Sequence, residues 1–249
     1  MKNSILGRFE VGHALADGIW SDRRSVVYQN EGNLLLLSLL LPNARTILDV
    51  GCGAGDNARL IRKLNENIEI IGITLSAEEA KHARRHMTAV HVIDLDVSDL
   101  SFLGERRFDA IIFSHVLEHV KDPQRILSLS ARQHLRVGGQ MLIAVPNVLY
   151  YKTRLQFLAG HFEYEESGIL DRTHLHFFTW DTADRYLVDT VKELKLAYKV
   201  AEGSAPLWVL RRWLLPVALS TKIDAYLVRL FPNLFGWQIV MSVSRIEEH

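Results

Sequence analysis

The chain has 249 residues and a mass of 28.4 kDa, the size of one large α/β domain or of one domain with a small cap. Apolar residues make up 48% and charged residues 23%, and 29 Lys+Arg balance 29 Asp+Glu; this excludes the strongly basic balance of a general nucleic-acid binder, so no nucleic-acid partner is expected. The one cysteine, Cys52, excludes a disulfide framework and a cysteine-ligated structural zinc site, and fits a reducing, cytoplasmic setting.

The first residues lead into Arg8 and Glu10 with no apolar signal core, so no secretory signal is expected. Residues 1–45 read as an N-terminal arm followed by a helix over about Glu31–Leu41, closed by Pro42-Asn43. The run Leu34–Leu41 is far shorter than the roughly 18–20 residues of a membrane span. Five near-continuous apolar runs follow, at Thr46–Val50, Glu69–Thr74, Val90–Leu95, Asp109–Ser114 and Gln140–Val145. Each has the composition of a strand buried on both faces. Helices fall between them near Asn57–Leu64, Ala77–Met87 and Pro123–Leu135, the last opened by Asp122 as N-cap and Pro123 at its first position. This alternation implies a parallel sheet with right-handed crossovers, and with it a ligand site at the carboxyl ends of the strands. Residues 146–179 form a long connection rich in aromatics and histidine; a helix from Thr179 to about Lys192 and strands at Leu196–Ala201 and Trp237–Ser244 follow. The basic clusters Lys81 to His86, Arg106–Arg107 and Arg211–Arg212 read as solvated faces.

The most informative stretch is Ile47-Leu48-Asp49-Val50-Gly51-Cys52-Gly53-Ala54-Gly55, a buried strand running into three alternating glycines. A tight strand–helix turn accounts for one or two glycines; three let a ligand approach the backbone closely. A dinucleotide fingerprint would need its third glycine at position 56, where Asp56 stands and would face the pyrophosphate. A nicotinamide oxidoreductase is therefore disfavoured, and no Gly-Lys-Ser/Thr supports a nucleoside triphosphate. An acid two residues ahead of the glycines, Asp49, suits a cationic amino-acid moiety.

Leu48-Asp49-Val50-Gly51-Cys52-Gly53-Ala54-Gly55, Asp109, the Ser114-His115-Val116-Leu117-Glu118-His119-Val120-Lys121-Asp122-Pro123 segment, Gly138-Gly139 and Pro146-Asn147 together resemble the class I S-adenosylmethionine-dependent methyltransferases. The likeness covers about residues 28–202 and points to a bacterial subgroup near the MetW-like and ubiquinone-biosynthesis enzymes. It implies an α/β, Rossmann-like, seven-stranded mostly parallel sheet with an antiparallel last strand and substrate-side insertions. Its divisions here are residues 46–202 as cofactor-binding core with a lid insertion at 146–179, an apolar cap at 203–236, and the last strand in 237–249. Carried over by position, Asp49, Gly51, Cys52, Gly53 and Gly55 would hold the methionine end of S-adenosylmethionine. Asp96 with Val97 would meet the adenine, with Asp94 as a rival, and Ser114 and His115 would line the methionine side. The family's ribose-binding acid at the end of the second strand is Thr74 here. A similar Thr-Leu-Ser occurs in cyclopropane fatty-acid synthase relatives, where a residue five positions on, here Glu79, assists. Ser76 and Glu79 also have the spacing of a helix capping box, so both roles of Glu79 stay open.

Residues 150–178 are too long for a simple crossover and read as a lid or binding loop. They resemble a GxxDxTHLRFFT stretch of bacterial methyltransferases associated with surface-glycan and cell-envelope pathways, with Asp171-Arg172-Thr173-His174-Leu175-His176 as its polar centre. In-line transfer to a hydroxyl needs a proton acceptor, and histidine suits it near neutral pH. The candidates, in order, are His174, His119 and His115; the plainer alternatives are that Asp171 and His174 pin the loop and that Glu118-His119 is a satisfied pair. A metal group of His174, His176 and Glu118 lacks a recognised ligand pattern, and no metal is expected. Residues 203–236, with Leu207, Leu210, Leu214, Leu215 and Arg211–Arg212, suit a membrane interface or a lipid-linked acceptor, or else a cap or homodimer face. The reading is a cytoplasmic methyltransferase, peripheral membrane contact left open. It acts on a small-molecule, sugar or lipid-linked acceptor, with oxygen as the default nucleophile. The alternatives are a lipid-directed carbon methyltransferase and a cofactor-binding protein without catalysis.

Overall fold

The computed structural model describes residues 31–206 and 213–246. The proposed N-terminal arm, residues 207–212 with Leu207, Leu210, Arg211 and Arg212, and the terminal Glu-Glu-His lie outside the described residues. Seven strands form one sheet in the order β3-β2-β1-β4-β5-β7-β6. They are β1 (Thr46–Val50), β2 (Glu69–Thr74), β3 (Ala89–Val92), β4 (Phe108–Ser114), β5 (Leu135–Pro146), β6 (Leu194–Gly203) and β7 (Gly236–Arg245). Pairs β1–β2, β1–β4, β2–β3 and β4–β5 are parallel, whereas β7 runs antiparallel to both β5 and β6. The antiparallel last strand is thus as expected, and it lies inside the sheet.

Period-two alternation divides the core in two. Leu48, Val50, Ile111, Phe113, Met141, Ile143 and Val145 form one buried face with α4 (Pro123–Leu129) and α6 (Trp180–Leu187). Ile47, Ala110, Ile112, Leu142 and Ala144 form the other, against α1 (Leu34–Ser38), α2 (Asp56–Leu64) and α3 (Ala77–Ala83). Burial on both faces explains why the strands read as continuous apolar runs. α2 matches its expected span to within one residue, whereas α1, α3, α4 and α6 are shorter than expected. Asn33 caps α1 at its start, accepting from the Leu36 amide, and the chain turns at Leu39. Beyond α4, capped by Asp122 as expected, Ser130–His134 is a π-helical turn, and β5 begins at Leu135, five residues earlier than its apolar run. The long connection contains α5 (Tyr151–Leu158); α7 (Val217–Leu230) and α8 (Pro232–Phe235) precede β7.

Asp109 sits at the amino end of β4, away from the site. Its Oδ2 accepts from the Arg45 amide at 2.8 Å, the Thr46 amide at 2.9 Å and the Thr46 hydroxyl at 3.0 Å, and its Oδ1 pairs with Arg136. Burial opposes its charge, but these donors prevail and hold its pKa below the usual carboxylate value. This motif acid fastens the lower edge of the sheet.

Candidate active site

The order of chain connection reverses between β1 and β4, and the crevice above that switch point is where such sheets place ligands. The residues singled out from the sequence gather there. Gly51, Gly53 and Gly55 all have left-handed φ, at 72°, 52° and 89°, a region that penalises any side chain. A Cβ at Gly51 would overlap the Val116 side chain, and one at Gly55 would stand 2.9 Å from the Ala83 backbone. The Gly51 and Cys52 amides both donate to the Ile73 carbonyl at 2.8 Å, which ties the loop to β2.

Asp49 is fully buried, and neither carboxylate oxygen has a hydrogen-bond partner. Burial, with Asp56 nearby, pushes its pKa up to about 7. An orphaned buried acid beside a cradle built of glycine fits a ligand that brings its own positive charge and donors. Burial, reinforced by Asp49 and Glu79, drives the Cys52 thiol well above its ordinary pKa, so it acts here as an apolar wall. At the end of β2 the Thr74 hydroxyl donates to Glu79 Oε2, and the Ser76 amide donates to Thr74 Oγ1 at 3.2 Å. Ser76 caps α3 by accepting from the Glu79 amide at 3.3 Å. The returning half of the capping box is replaced by the Thr74–Glu79 contact, which brings a carboxylate to the end of the second strand.

Past β3, Asp94 Oδ1 accepts from the Asp96 amide at 2.9 Å, and Asp96 Oδ1 accepts from the Lys121 amide at 2.8 Å. The first acid shapes the turn and the second links it to the β4 loop. Val97 stands beside them, exposed.

The β4 loop is the most heavily wired part of the site. His115, after Ser114, has φ of 56°, a strained backbone for a residue other than glycine. Its Nε2 lies 2.8 Å from Gln238 Oε1, which also accepts from Asn33 Nδ2 at 2.9 Å, and its Nδ1 lies 3.4 Å from Glu118 Oε1. Both ring nitrogens therefore face acceptors. Burial works against a charge on His115, but Glu118 outweighs it and raises the pKa. Glu118 is 1% exposed and its oxygens accept no hydrogen bond; burial opposes its charge, yet His115 and the neighbouring histidines hold its pKa down. His115 is thus held between Gln238 and Glu118 with both ring nitrogens engaged, and is poorly placed to receive a proton.

The lid meets this loop. Leu175 and His176 amides donate to the Glu118 carbonyl at 2.7 and 3.1 Å. Asp171 Oδ1 accepts from the Thr173 amide and hydroxyl, both at 2.7 Å. The Thr173 oxygen in turn accepts from His119 Nδ1 at 2.9 Å. His174 Nδ1 donates to the Ile169 carbonyl at 3.1 Å, and burial lowers its pKa. The His119 and His174 rings meet edge to face, 4.7 Å between centroids. One ligand atom each from Glu118, His119 and His174 lies within 4.8 Å of the others. His176 stands apart, its Nε2 3.0 Å from the Val120 carbonyl. Sequence reading missed Gln238 and Asn33; a glutamine inside an apolar strand and an asparagine at a helix start were the signals available.

A Rossmann-like sheet whose antiparallel last strand lies between β5 and β6, a glycine cradle after β1 and an acid at its end defines a class I methyltransferase domain. The chain belongs to the methyltransferase domain family, whose model matches residues 19–189, and the domain is of the S-adenosylmethionine-dependent kind. It is similar to the demethylmenaquinone methyltransferase of Thermotoga maritima, 27% identical over 168 residues that cover 62% of this chain and 71% of that protein. It is also similar to the ubiquinone biosynthesis O-methyltransferase of Alkalilimnicola ehrlichii, 34% identical over 107 residues, 41% of this chain and 42% of that one. In several other curated relatives the match spans about half of the relative's length or less. Among solved structures, a SAM dependent methyltransferase from Archaeoglobus fulgidus shares the fold, with TM-score 0.54 at 20% identity over 82% of this chain and 86% of that one.

Proposed function

We propose that the protein transfers a methyl group from S-adenosylmethionine to a hydroxyl of a small-molecule, sugar or lipid-linked acceptor. The observation that carries the cofactor half is Asp49, a buried carboxylate with no protein partner at the rim of the glycine cradle. Asp49, Gly51, Cys52, Gly53 and Gly55 hold the methionine end; Ser114 and the His115 backbone line it. Glu79, presented by Thr74, takes the ribose hydroxyls, and Asp96 with Val97 meets the adenine. When bound, the cofactor supplies an electrophilic methyl on a sulfonium. The chain's own task is then to align the acceptor oxygen and take its proton. His174 and His119, each with Nδ1 engaged by the lid and their rings in contact, are the bases of choice; His115 is assigned to positioning Glu118.

A second reading, carbon methylation of a lipid, is favoured by two features. The Glu79 carboxylate meets Thr74 at the end of β2, in keeping with the Thr-Leu-Ser resemblance. Moreover, α5, α7 and the approach to α7 expose Leu155, Leu158, Trp213, Leu219, Tyr226 and Leu230, with Lys222 and Arg229 also exposed among them. This face suits peripheral contact with an anionic membrane. Among the described residues, no helix is long and apolar enough to cross one.

Calorimetric titration with S-adenosylmethionine, S-adenosylhomocysteine and NAD tests the cofactor half. Saturable binding of the first two alone is expected, and silence toward both refutes it. An acceptor screen scored by S-adenosylhomocysteine release then separates hydroxyl-bearing sugars and small molecules from lipid extracts. Release with no acceptor class would leave a cofactor-binding protein without catalysis.

A further inference from the structure

We propose that His115 and Trp237 form a sugar-binding floor, and that the acceptor hydroxyl is carried on a saturated sugar ring whose face lies on them. The inference rests on the methyl-transfer reading above and narrows its acceptor. Trp237 is the second residue of β7. Against β6, Gly236 pairs with Gly203 and Gln238 with Glu202, so Trp237 is the extra residue of a β-bulge. Bulges beside active sites re-aim a side chain. This one stands at the carboxyl end of β5, where the Trp237 carbonyl accepts from the Asn147 amide at 2.9 Å. The indole lies nearly parallel to the His115 ring, at 10° with 6.3 Å between centroids. Trp237 is 37% exposed and the His115 side chain 33%.

The His115 ring is fixed in place. Its Nε2 lies 2.8 Å from Gln238 Oε1, and its Nδ1 lies 3.4 Å from Glu118 Oε1. The Gln238 amide is itself oriented from two sides: its Nε2 donates to Glu202, and its Oε1 accepts from Asn33 Nδ2 at 2.9 Å. A half-exposed histidine with both nitrogens engaged has its face left to offer a ligand. Its left-handed backbone is strain of the kind that ligand sites hold. Two parallel rings, one of them locked, thus make a flat floor beside the segment that lines the methionine end. Two carboxylates border it, Glu118 at His115 Nδ1 and Glu202 at the Gln238 amide. Negative charge opposes ionisation of a phenol, whereas carboxylates accept hydrogen bonds from ring hydroxyls. The electron-rich face of an indole favours the polarised C–H bonds of a pyranose. An alkyl chain gains least from a flat floor with acids at its rim.

The test uses the full chain, with and without S-adenosylhomocysteine. The probes are methyl pyranosides of glucose, galactose and rhamnose, with p-cresol and hexanol as comparators. Saturation-transfer NMR reads which probe protons touch the protein. Saturable contact by the ring protons of a pyranoside is expected. Trp237→Ala should weaken it about tenfold, the upper range for loss of a ring contact. Trp237→Phe should stay within about threefold of wild type, and Tyr226→Ala, on the outer face, should match it. Circular dichroism shows that each variant is folded. Contact by no pyranoside, stronger contact by p-cresol or hexanol, or contact undiminished in Trp237→Ala overturns the proposal. Release of S-adenosylhomocysteine from S-adenosylmethionine with the bound pyranoside is scored separately. Its absence while ring contact persists refutes the transfer reading and not the sugar-binding floor.

Discussion

Replacing Asp49 by asparagine should make the ligand-free protein more stable above neutral pH while weakening cofactor binding. An acid with a folded pKa of about 7 and a reference value of 3.8 holds its proton more tightly in the native state. Its ionisation therefore costs nothing below the reference value, costs progressively more between the two, and costs its full amount above about pH 7. At about 1.36 kcal/mol per unit, the full penalty is about 4 kcal/mol, with roughly 1.6 kcal/mol present at pH 5. The asparagine amide keeps a desolvation cost of about 1–3 kcal/mol in the same pocket. The variant should thus gain about 2 kcal/mol at pH 8, or roughly 4–8 °C in Tm for a chain of this size, and nothing at pH 5. Scanning calorimetry at pH 5, 6, 7 and 8 reads the difference. The same acid is charged by a cationic ligand, so wild-type affinity for S-adenosylmethionine should rise up to about tenfold per pH unit until about pH 7. The variant should bind about 10–100-fold more weakly. Melting curves of the two proteins that coincide across the range, or equal affinities, would refute the account of Asp49 as an unpaired buried carboxylate awaiting its partner.

Gly51→Ala, forced into left-handed φ and against Val116, should cost about 1–3 kcal/mol and abolish calorimetric binding of S-adenosylmethionine. Glu79→Gln should weaken that binding about tenfold and leave binding of methionine alone unchanged. Asp109→Ala should destabilise by about 2 kcal/mol in chemical denaturation with cofactor affinity intact. Since its folded pKa is depressed, the wild-type advantage is present above the unfolded value and fades as pH falls through the folded one. Leu158→Glu with Leu219→Glu, both on the exposed face, should reduce co-sedimentation with anionic vesicles several-fold without changing cofactor affinity; unchanged sedimentation would argue against membrane contact.

Strands buried on both faces announce themselves by composition, so β1 and β2 were placed to the residue and the glycine cradle with them. The start of β5 was not visible, because Leu135–Gly139 carries no apolar run and pairs with β4 only through an irregular register. Helix ends were set by turns that composition hides, such as the π turn after α4. The candidate cofactor residues lie in short segments with fixed spacing, so they could be read locally. The lid side could not: the meeting of Glu118 with His174 depends on how a lid folds back across 56 residues. The bond from His115 to Gln238 spans 123 residues. The sequence ranked His174, His119 and His115 only by the segments that carry them; what their ring nitrogens face separates them further.

Because β7 inserts between β5 and β6, the sheet is assembled out of synthesis order. A nascent chain that has emerged only as far as α8 presents two unpaired edges, those of β5 and β6, with an empty slot between them. Asn33 waits for Gln238 across 205 residues, and His115 waits for the same side chain. Until the ten-residue β7 is released, the His115–Glu118 contact lacks its brace. Ribosomal pausing before β7, or a chaperone that shields an open sheet, therefore bears on how much of this protein completes the sheet.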